Sequence, residues 1–131
     1  MNGRVTGKIK NGLLVFLGIA HNDTKKEADY LAKKIESLRI FKDDNNKMNL
    51  SVKDINGEIL VISQFTLYAD TSSGNRPSFT AAAKPEYANE LYEYFKSKLK
   101  SDGVVVKCGE FGADMKIEAL NDGPVTIILE R

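Results

Sequence analysis

The chain is poor in the residue types that build metal centres and covalent cross-links. Its 131 residues include one cysteine, Cys108, and one histidine, His21. A single cysteine excludes an intrachain disulfide framework. One cysteine and one histidine also fall short of the usual ligand count of a zinc site, and no carboxylate run has the spacing of a calcium-binding loop. The sequence therefore predicts a protein that needs no metal.

Long apolar runs, nucleotide-binding motifs and a strong charge bias are also missing. No apolar segment approaches the roughly 20 residues needed to cross a bilayer, and the N-terminus MNGRVTGKIK lacks the apolar stretch of a signal peptide. We therefore expect a cytoplasmic protein. There is neither a Gly-x-Gly-x-x-Gly motif nor a P-loop, so no nucleotide cofactor is predicted. With a net charge of +1, any nucleic-acid contact would need a local basic patch.

The patterning that is present fits one domain over residues 1–131. The first predicted elements are two strands, Arg4 to Ile9 and Leu13 to Ala20, joined as a hairpin by an Asn11-Gly12 turn. The polar segment over residues 41–58 predicts a loop or an irregular hairpin. No linker or repeat divides the chain.

An amphipathic helix is predicted over residues 25–39. Thr24 followed three residues later by Glu27 matches a capping box. An apolar stripe follows at helical spacing, formed by Leu31, Ile35 and Leu38. Off that stripe lie Lys25, Lys26, Lys33 and Lys34. Their pattern favours a solvated face over an RNA contact.

The second half of the chain predicts strands around another helix. Residues 58–70 read as an apolar strand with polar Ser63 and Gln64 in its middle. A helix is predicted to begin at Pro85 and to end at Gly103. Three further strands are expected over residues 104–109, 114–121 and 124–130. The order β-β-α-β-α-β-β-β predicts an α+β fold.

Taken by pattern alone, the candidate functional residues are ambiguous. A lone His21 is more often structural or solvated than catalytic, and Cys108 in a strand is expected to be a buried, inert thiol. Ser63 and Gln64 interrupt an apolar run and need hydrogen-bond partners, which a neighbouring loop or a binding site would supply. Gly123-Pro124 is either a plain turn or a place where a ligand approaches the main chain.

Several short motifs together resemble the D-aminoacyl-tRNA deacylase (D-tyrosyl-tRNA deacylase) family. They occur in order along nearly the whole chain, and each alone is weak. The motifs are GLLVFLGIAHNDT at residues 12–24, KMNLSV at 47–52, SQFTLYAD at 63–70, RPSF at 76–79, FGADM at 111–115 and NDGPVT at 121–126.

The resemblance implies a homodimeric enzyme that hydrolyses the ester joining a D-amino acid to the 3′ end of tRNA. In the family the two motifs of the site face each other across the subunit interface. This places substrate-binding Ser63 and Gln64, with the backbone N–H groups of Phe65 and Thr66 as an oxyanion hole, in one subunit. The other subunit supplies a Gly-cisPro gate, Gly123-Pro124, whose carbonyl groups would collide with an L-amino acid.

The nucleophile is left open between Thr66 and water. A hydroxyl is weak without an adjacent base, and the motif supplies none, so we favour water assisted by the terminal 2′-hydroxyl of the tRNA. The tRNA phosphates need cations, and candidates lie on both helices. Named examples are Lys96, Lys98 and Lys100.

The N-terminus departs from the family, which begins with an additional strand carrying a Gln-Arg-Val stretch. We therefore expect a β-sheet or barrel-like core with two helices that lacks this first strand. The departure keeps open a non-catalytic dimeric RNA- or ligand-binding module of the same fold. A separate alternative is editing in trans of other mischarged tRNA, such as glycine on the alanine tRNA.

Overall fold

The computed structural model describes residues 5–131 and has an α+β arrangement of two helices and five short strands. In chain order the elements are β1 (Gly12–Leu17), α1 (Lys25–Ser37), β2 (Phe41–Lys42), β3 (Met48–Leu50), β4 (Glu58–Ser63), a 3-10 helix (Phe65–Tyr68), α2 (Pro85–Ser101) and β5 (Val105–Cys108). The two-stranded antiparallel pair β2–β3 is the irregular hairpin predicted within residues 41–58.

The main sheet has the order β1-β4-β5, and both of its strand pairs are parallel. β1 and β4 pair from Gly12 opposite Glu58 to Leu17 opposite Ser63. As the central strand, β4 is the most buried, with Ile59 and Val61 fully inside. Parallel strands covered by helices read as continuous apolar runs, which explains the composition of this segment.

The predicted hairpin between Arg4–Ile9 and Leu13–Ala20 is wrong. Residues 5–9 form no strand, and Arg4 lies outside the described residues. Gly12 opens β1 at φ +154, where an added Cβ would overlap the carbonyl oxygen of Glu58. The glycine therefore allows close approach of β4, and β1 finds its partner at long range.

Both predicted helices are confirmed, with small differences at their ends. The Thr24–Glu27 capping box is present, and α1 ends at Ser37 because Leu38 adopts extended backbone angles. α2 begins at Pro85 and ends at Ser101, and Gly103 follows at φ +91, a conformation that glycine adopts without cost. The helices pack on the sheet around a core that includes Ala32, Ile35, Tyr92, Phe95 and Leu99.

The C-terminal segment departs from expectation. β5 confirms the strand predicted at residues 104–109, but those predicted at 114–121 and 124–130 are wrong, since residues 109–131 contain no strand. Most of their apolar side chains stay exposed, with Leu120 at 95% and Ile128 at 83%, whereas Leu129 packs against the core. A strand requires a pairing partner, and no pairing within residues 5–131 provides one. The described residues thus form an open sheet rather than a barrel. None of their helices is both long and apolar enough to cross a membrane.

Candidate active site

The candidate site lies where β4 leaves the carboxyl edge of the parallel sheet. Gln64 N–H donates to the Leu17 carbonyl at 2.8 Å, the last bond to β1, and Gln64 then turns to φ −141, ψ 81. The next residues form the 3-10 helix, so the strand predicted through Asp70 ends at Ser63 instead. Ser63 and Gln64 thus lie at the end of the strand and not in its middle.

Gly18, the residue after β1, lets this 3-10 helix lie close to the sheet. An added Cβ on Gly18 would stand 3.1 Å from the Cβ of Leu67 and 3.1 Å from Cε2 of Tyr68. Optimal carbon–carbon contacts are about 3.5–4.0 Å. Any larger residue at position 18 would therefore push the helix away from β1.

Thr66 is exposed on the 3-10 helix and carries a hydroxyl without a neighbouring base. Gln64 Nε2 donates to Thr66 Oγ1, and an amide cannot take up the hydroxyl proton as a general base would. The first bonded N–H of the helix is that of Leu67, which donates to the Gln64 carbonyl at 3.2 Å. The N–H groups of Phe65 and Thr66 precede it and, like other first N–H groups of helices, lack an intrahelical acceptor.

An ordered loop flanks the 3-10 helix. Asp70 and Ser78 exchange backbone hydrogen bonds of 2.7 and 2.9 Å. The hydroxyl and N–H of Ser72 donate to Asp70 Oδ1, which lowers the pKa of that carboxyl. Beyond the loop, the ring of Phe79 meets that of Phe65 edge to face, with centroids 5.0 Å apart. The RPSF motif is thus held against the SQFT motif.

Tyr68 connects the 3-10 helix to the C-terminal segment. Burial raises the pKa of its phenol, and the nearby carboxylates of Asp23 and Glu130 raise it further. The phenol therefore stays protonated at neutral pH. The sequence analysis gave this residue no role of its own, and only its place in the SQFTLYAD motif pointed to it.

The second predicted part of the site, Gly123-Pro124, is an exposed turn with a cis peptide bond. The side chain of Asn121 makes two hydrogen bonds across this turn. Its Oδ1 accepts from Val125 N–H at 3.3 Å, and its Nδ2 donates to Thr126 Oγ1 at 2.9 Å. Asn121 was not predicted as a site residue, although an asparagine just before a Gly-Pro pair is a turn signal.

Within one chain the two parts of the site remain separate. The hydrogen bonds described for residues 63–66 stay within the 3-10 helix and its contact with β1, and those of residues 121–126 stay within their own turn. No hydrogen bond within residues 5–131 joins them.

The other predicted residues have structural surroundings. His21 is exposed, and its Nδ1 lies 3.2 Å from the Ala81 carbonyl oxygen. Cys108 does lie in a strand but is half-buried, not fully buried, and its Sγ is 3.3 Å from Lys96 Nζ.

Two of the lysines named as phosphate contacts are already paired. Lys96 is buried and forms an ion pair with Glu93 at 2.9 Å, so it cannot reach a phosphate from this position. Lys98 lies 3.7 Å from Asp102, and Lys100 is exposed. Across residues 5–131, no three or more histidine, cysteine or acidic side chains are grouped to hold a metal ion.

Comparison with known proteins identifies the family. The D-Tyr-tRNA(Tyr) deacylase family matches residues 1–130. A D-aminoacyl-tRNA deacylase of Koribacter versatilis is 55% identical over 130 residues, which is 99% of this chain and 87% of the relative. A protein of the same name from Fusobacterium nucleatum is also 55% identical over 130 residues, 99% of this chain and 86% of the relative.

Two solved structures share the fold of this chain. A structure titled c-Myc DNA Unwinding Element Binding Protein matches with a TM-score of 0.89 and 42% identity, covering 94% of this chain and 84% of its own. A probable eukaryotic D-amino acid tRNA deacylase matches in fold alone, with a TM-score of 0.63 and 13% identity over 78% of this chain and 75% of its own. The chain therefore belongs to the D-aminoacyl-tRNA deacylase family of enzymes.

Proposed function

We propose that this chain hydrolyses the ester between a D-amino acid and the 3′ end of tRNA, releasing the free D-amino acid and tRNA. Family membership supports the reaction class. The observation that carries the mechanism is the exposed 3-10 helix after β4. It presents two N–H groups without intrahelical acceptors beside a hydroxyl whose recorded partner is an amide.

Water is the nucleophile in this mechanism. Its oxygen bonds to the ester carbonyl carbon, and the N–H groups of Phe65 and Thr66 donate to the oxyanion that forms. When the carbon–oxygen bond to the ribose breaks, the water's proton passes to the leaving 3′-oxygen, with the neighbouring 2′-hydroxyl assisting. Each oxyanion donor contributes about 3 kcal/mol in known cases. Thr66 Oγ1 stays bonded to Gln64 and positions substrate together with Ser63.

Selectivity for D-amino acids comes from a second copy of the chain in a homodimer. Gly123-Pro124 of the partner copy would direct its backbone carbonyl groups at the α-carbon of the substrate. A D-side chain points away from them, whereas an L-side chain collides, so selection rests on a repulsive element. The exposure of this turn within one chain leaves it free to reach another.

The test is single-turnover deacylation of D-tyrosyl-tRNA and L-tyrosyl-tRNA by the 131-residue chain. We expect loss of the D-ester alone. Glycyl- and L-alanyl-tRNA run in parallel would reveal editing in trans of other mischarged tRNA. Equal loss of the D- and L-esters would contradict the gate, and persistence of every ester would contradict the hydrolase.

A second candidate function is nucleic-acid binding without turnover. The relative that is 42% identical to this chain is titled as a protein that binds a DNA unwinding element. The same substrates separate the two functions, because a binding module would retain tRNA without releasing the amino acid. Duplex DNA added as a competitor would show whether the bound nucleic acid is DNA or tRNA.

A further inference from the structure

Helix α1 sorts its charged residues by sign. Its exposed residues are four lysines, one tyrosine and one serine: Lys25, Lys26, Tyr30, Lys33, Lys34 and Ser37. Its three acidic residues are turned inward or already bonded. Glu27 accepts from the Thr24 N–H at 2.8 Å, Asp29 accepts from the Tyr94 hydroxyl at 2.6 Å, and Glu36 is 4% exposed. The pattern of the sequence alone could not show this separation.

Stability of the helix does not explain the first pair of these lysines. Lys25 and Lys26 occupy the first turn, where the helix dipole disfavours cations. The ion pairs found within residues 5–131 use Lys53, Lys96 and Lys98 instead. Lys34 lies in the last turn, where the dipole favours a cation, and Lys25 Nζ lies 5.0 Å from the centroid of the Tyr94 ring. All four lysines are exposed, and none of them is in an ion pair found within residues 5–131.

Helix α2 has the opposite surface. Its exposed charged residues are three glutamates and one lysine, Glu86, Glu90, Glu93 and Lys100. A polyanion would be attracted to α1 and repelled by most of α2. Because the whole chain carries a net charge of only +1, this attraction is local to α1.

The exposed side of α1 also contacts the end of the chain. Tyr30 lies at its middle, with Lys34 Nζ 5.6 Å from the ring centroid and the Arg131 guanidinium 4.3 Å from it. Glu130, the residue before Arg131, contributes to the raised pKa of the Tyr68 phenol, and Tyr68 belongs to the same 3-10 helix as Thr66. The lysine pairs at the two ends of α1 are eight residues apart, about 12 Å along the helix, which spans more than one phosphate.

We propose that the α1 lysine face, formed by Lys25, Lys26, Tyr30, Lys33 and Lys34, binds the phosphate backbone of the tRNA substrate. This inference rests on the proposed function for the identity of the polyanion. The lysines neutralise phosphates and release counterions, so binding weakens as salt rises. The face holds the body of the tRNA while the 3-10 helix acts on its 3′ end.

The test compares Lys33→Gln/Lys34→Gln with Lys42→Gln/Lys47→Gln, a matched control that removes two exposed lysines outside both helices. Glutamine removes the charge and has a helix propensity close to that of lysine, and circular dichroism checks the fold. Fluorescence anisotropy of uncharged tRNA over a KCl series gives the affinity and its salt slope. Single-turnover kinetics on D-tyrosyl-tRNA, and on a D-tyrosyl ester of adenosine, follow the chemistry.

We expect the salt slope of the double variant to fall by about two, one for each lysine, so that it binds tRNA roughly 10- to 100-fold more weakly at about 0.1 M KCl. The concentration giving half-maximal rate on D-tyrosyl-tRNA should rise, while hydrolysis of the adenosine ester stays unchanged. Lys42→Gln/Lys47→Gln should match the wild type in both assays.

An unchanged affinity and salt slope in the double variant would overturn the proposal. The proposal would also be overturned if the double variant lost binding to vesicles of anionic lipid but kept its affinity for tRNA, because the face would then bind a membrane. If the wild-type chain hydrolyses no ester but the double variant binds tRNA more weakly than the wild type, the deacylase is refuted and the RNA surface is supported. Normal hydrolysis of D-tyrosyl-tRNA with an unchanged salt slope of tRNA binding would support the deacylase and refute the RNA surface.

Discussion

The packing of Gly18 against the 3-10 helix provides a sharp test of how the site is positioned. In Gly18→Ala the new methyl would lie 3.1 Å from both the Cβ of Leu67 and Cε2 of Tyr68. Restoring contacts of about 3.5–4.0 Å requires a shift of about 0.5 Å. Because Leu67 Cβ is fixed to the backbone, the helix itself must move, and Thr66 moves with it.

The cost follows from this overpacking. Inserting a methyl into a packed site lowers the free energy of unfolding by about 1–3 kcal/mol. With an unfolding entropy of about 2.1 cal/mol/K per residue, this corresponds to a Tm lowered by roughly 4–11 °C. Since a 1 Å misplacement costs about a hundredfold in rate, a shift of about half that size should lower kcat/KM by about tenfold.

Gly57→Ala is the matched control, because a methyl there would lie 3.0 Å from Val52 Cγ2 and 3.2 Å from Ile55 Cδ1, at the amino end of β4. Urea titration should show similar destabilisation of both variants. Single-turnover hydrolysis of D-tyrosyl-tRNA, measured well below both Tm values, should slow only in Gly18→Ala. Equal rates in the two folded variants would refute the idea that Gly18 positions the catalytic helix.

Four further substitutions test the site and the fold. Thr66→Ala should keep measurable single-turnover activity, since water is the proposed nucleophile; complete inactivity with normal tRNA binding would favour a covalent acyl-threonine. Gly123 has φ +124, and the Cβ that Gly123→Ala adds would lie 2.9 Å from Cγ2 of Val125. The preference for D- over L-tyrosyl-tRNA should therefore fall, and an unchanged ratio would contradict the gate. Burial, and then a hydrogen bond with Asp102, raises the pKa of Glu36 from its usual 4.5. The folded chain therefore holds this proton more tightly, and stability falls as pH rises from about 4.5 through the folded pKa. The Tm of Glu36→Gln minus the Tm of the wild type should increase as the pH rises over that range. A difference that stays constant would show that the pKa of Glu36 is not raised. Tyr92→Phe leaves a buried backbone carbonyl without the 3.0 Å bond it now accepts, and urea titration should show a loss of about 1–2 kcal/mol; no loss would mean that this bond adds nothing to stability.

The sequence determined the elements whose signals are local. The Thr24–Glu27 capping box and the apolar stripe after it define α1 because both act within a few residues of the chain. Pro85 marks the start of α2 for the same reason. The motifs at residues 63–66 and 121–126 also pointed to the family, which the comparisons confirm.

Only the tertiary structure decided which segments pair and which side chains come together. The Asn11-Gly12 pair favours a hairpin locally, yet β1 pairs in parallel with β4, more than forty residues away by number, because both strands bury apolar faces against the helices. Residues 114–121 have a strand-like pattern but form no strand, since pairing depends on a partner that a pattern cannot specify. The hydrogen bond to Asp29 and the burial of Glu36 were likewise invisible in the sequence, because the first depends on Tyr94 of the other helix and the second on tertiary packing. Local signals come from residues that are adjacent in the sequence, whereas strand pairing and burial depend on segments that meet only after the chain has folded.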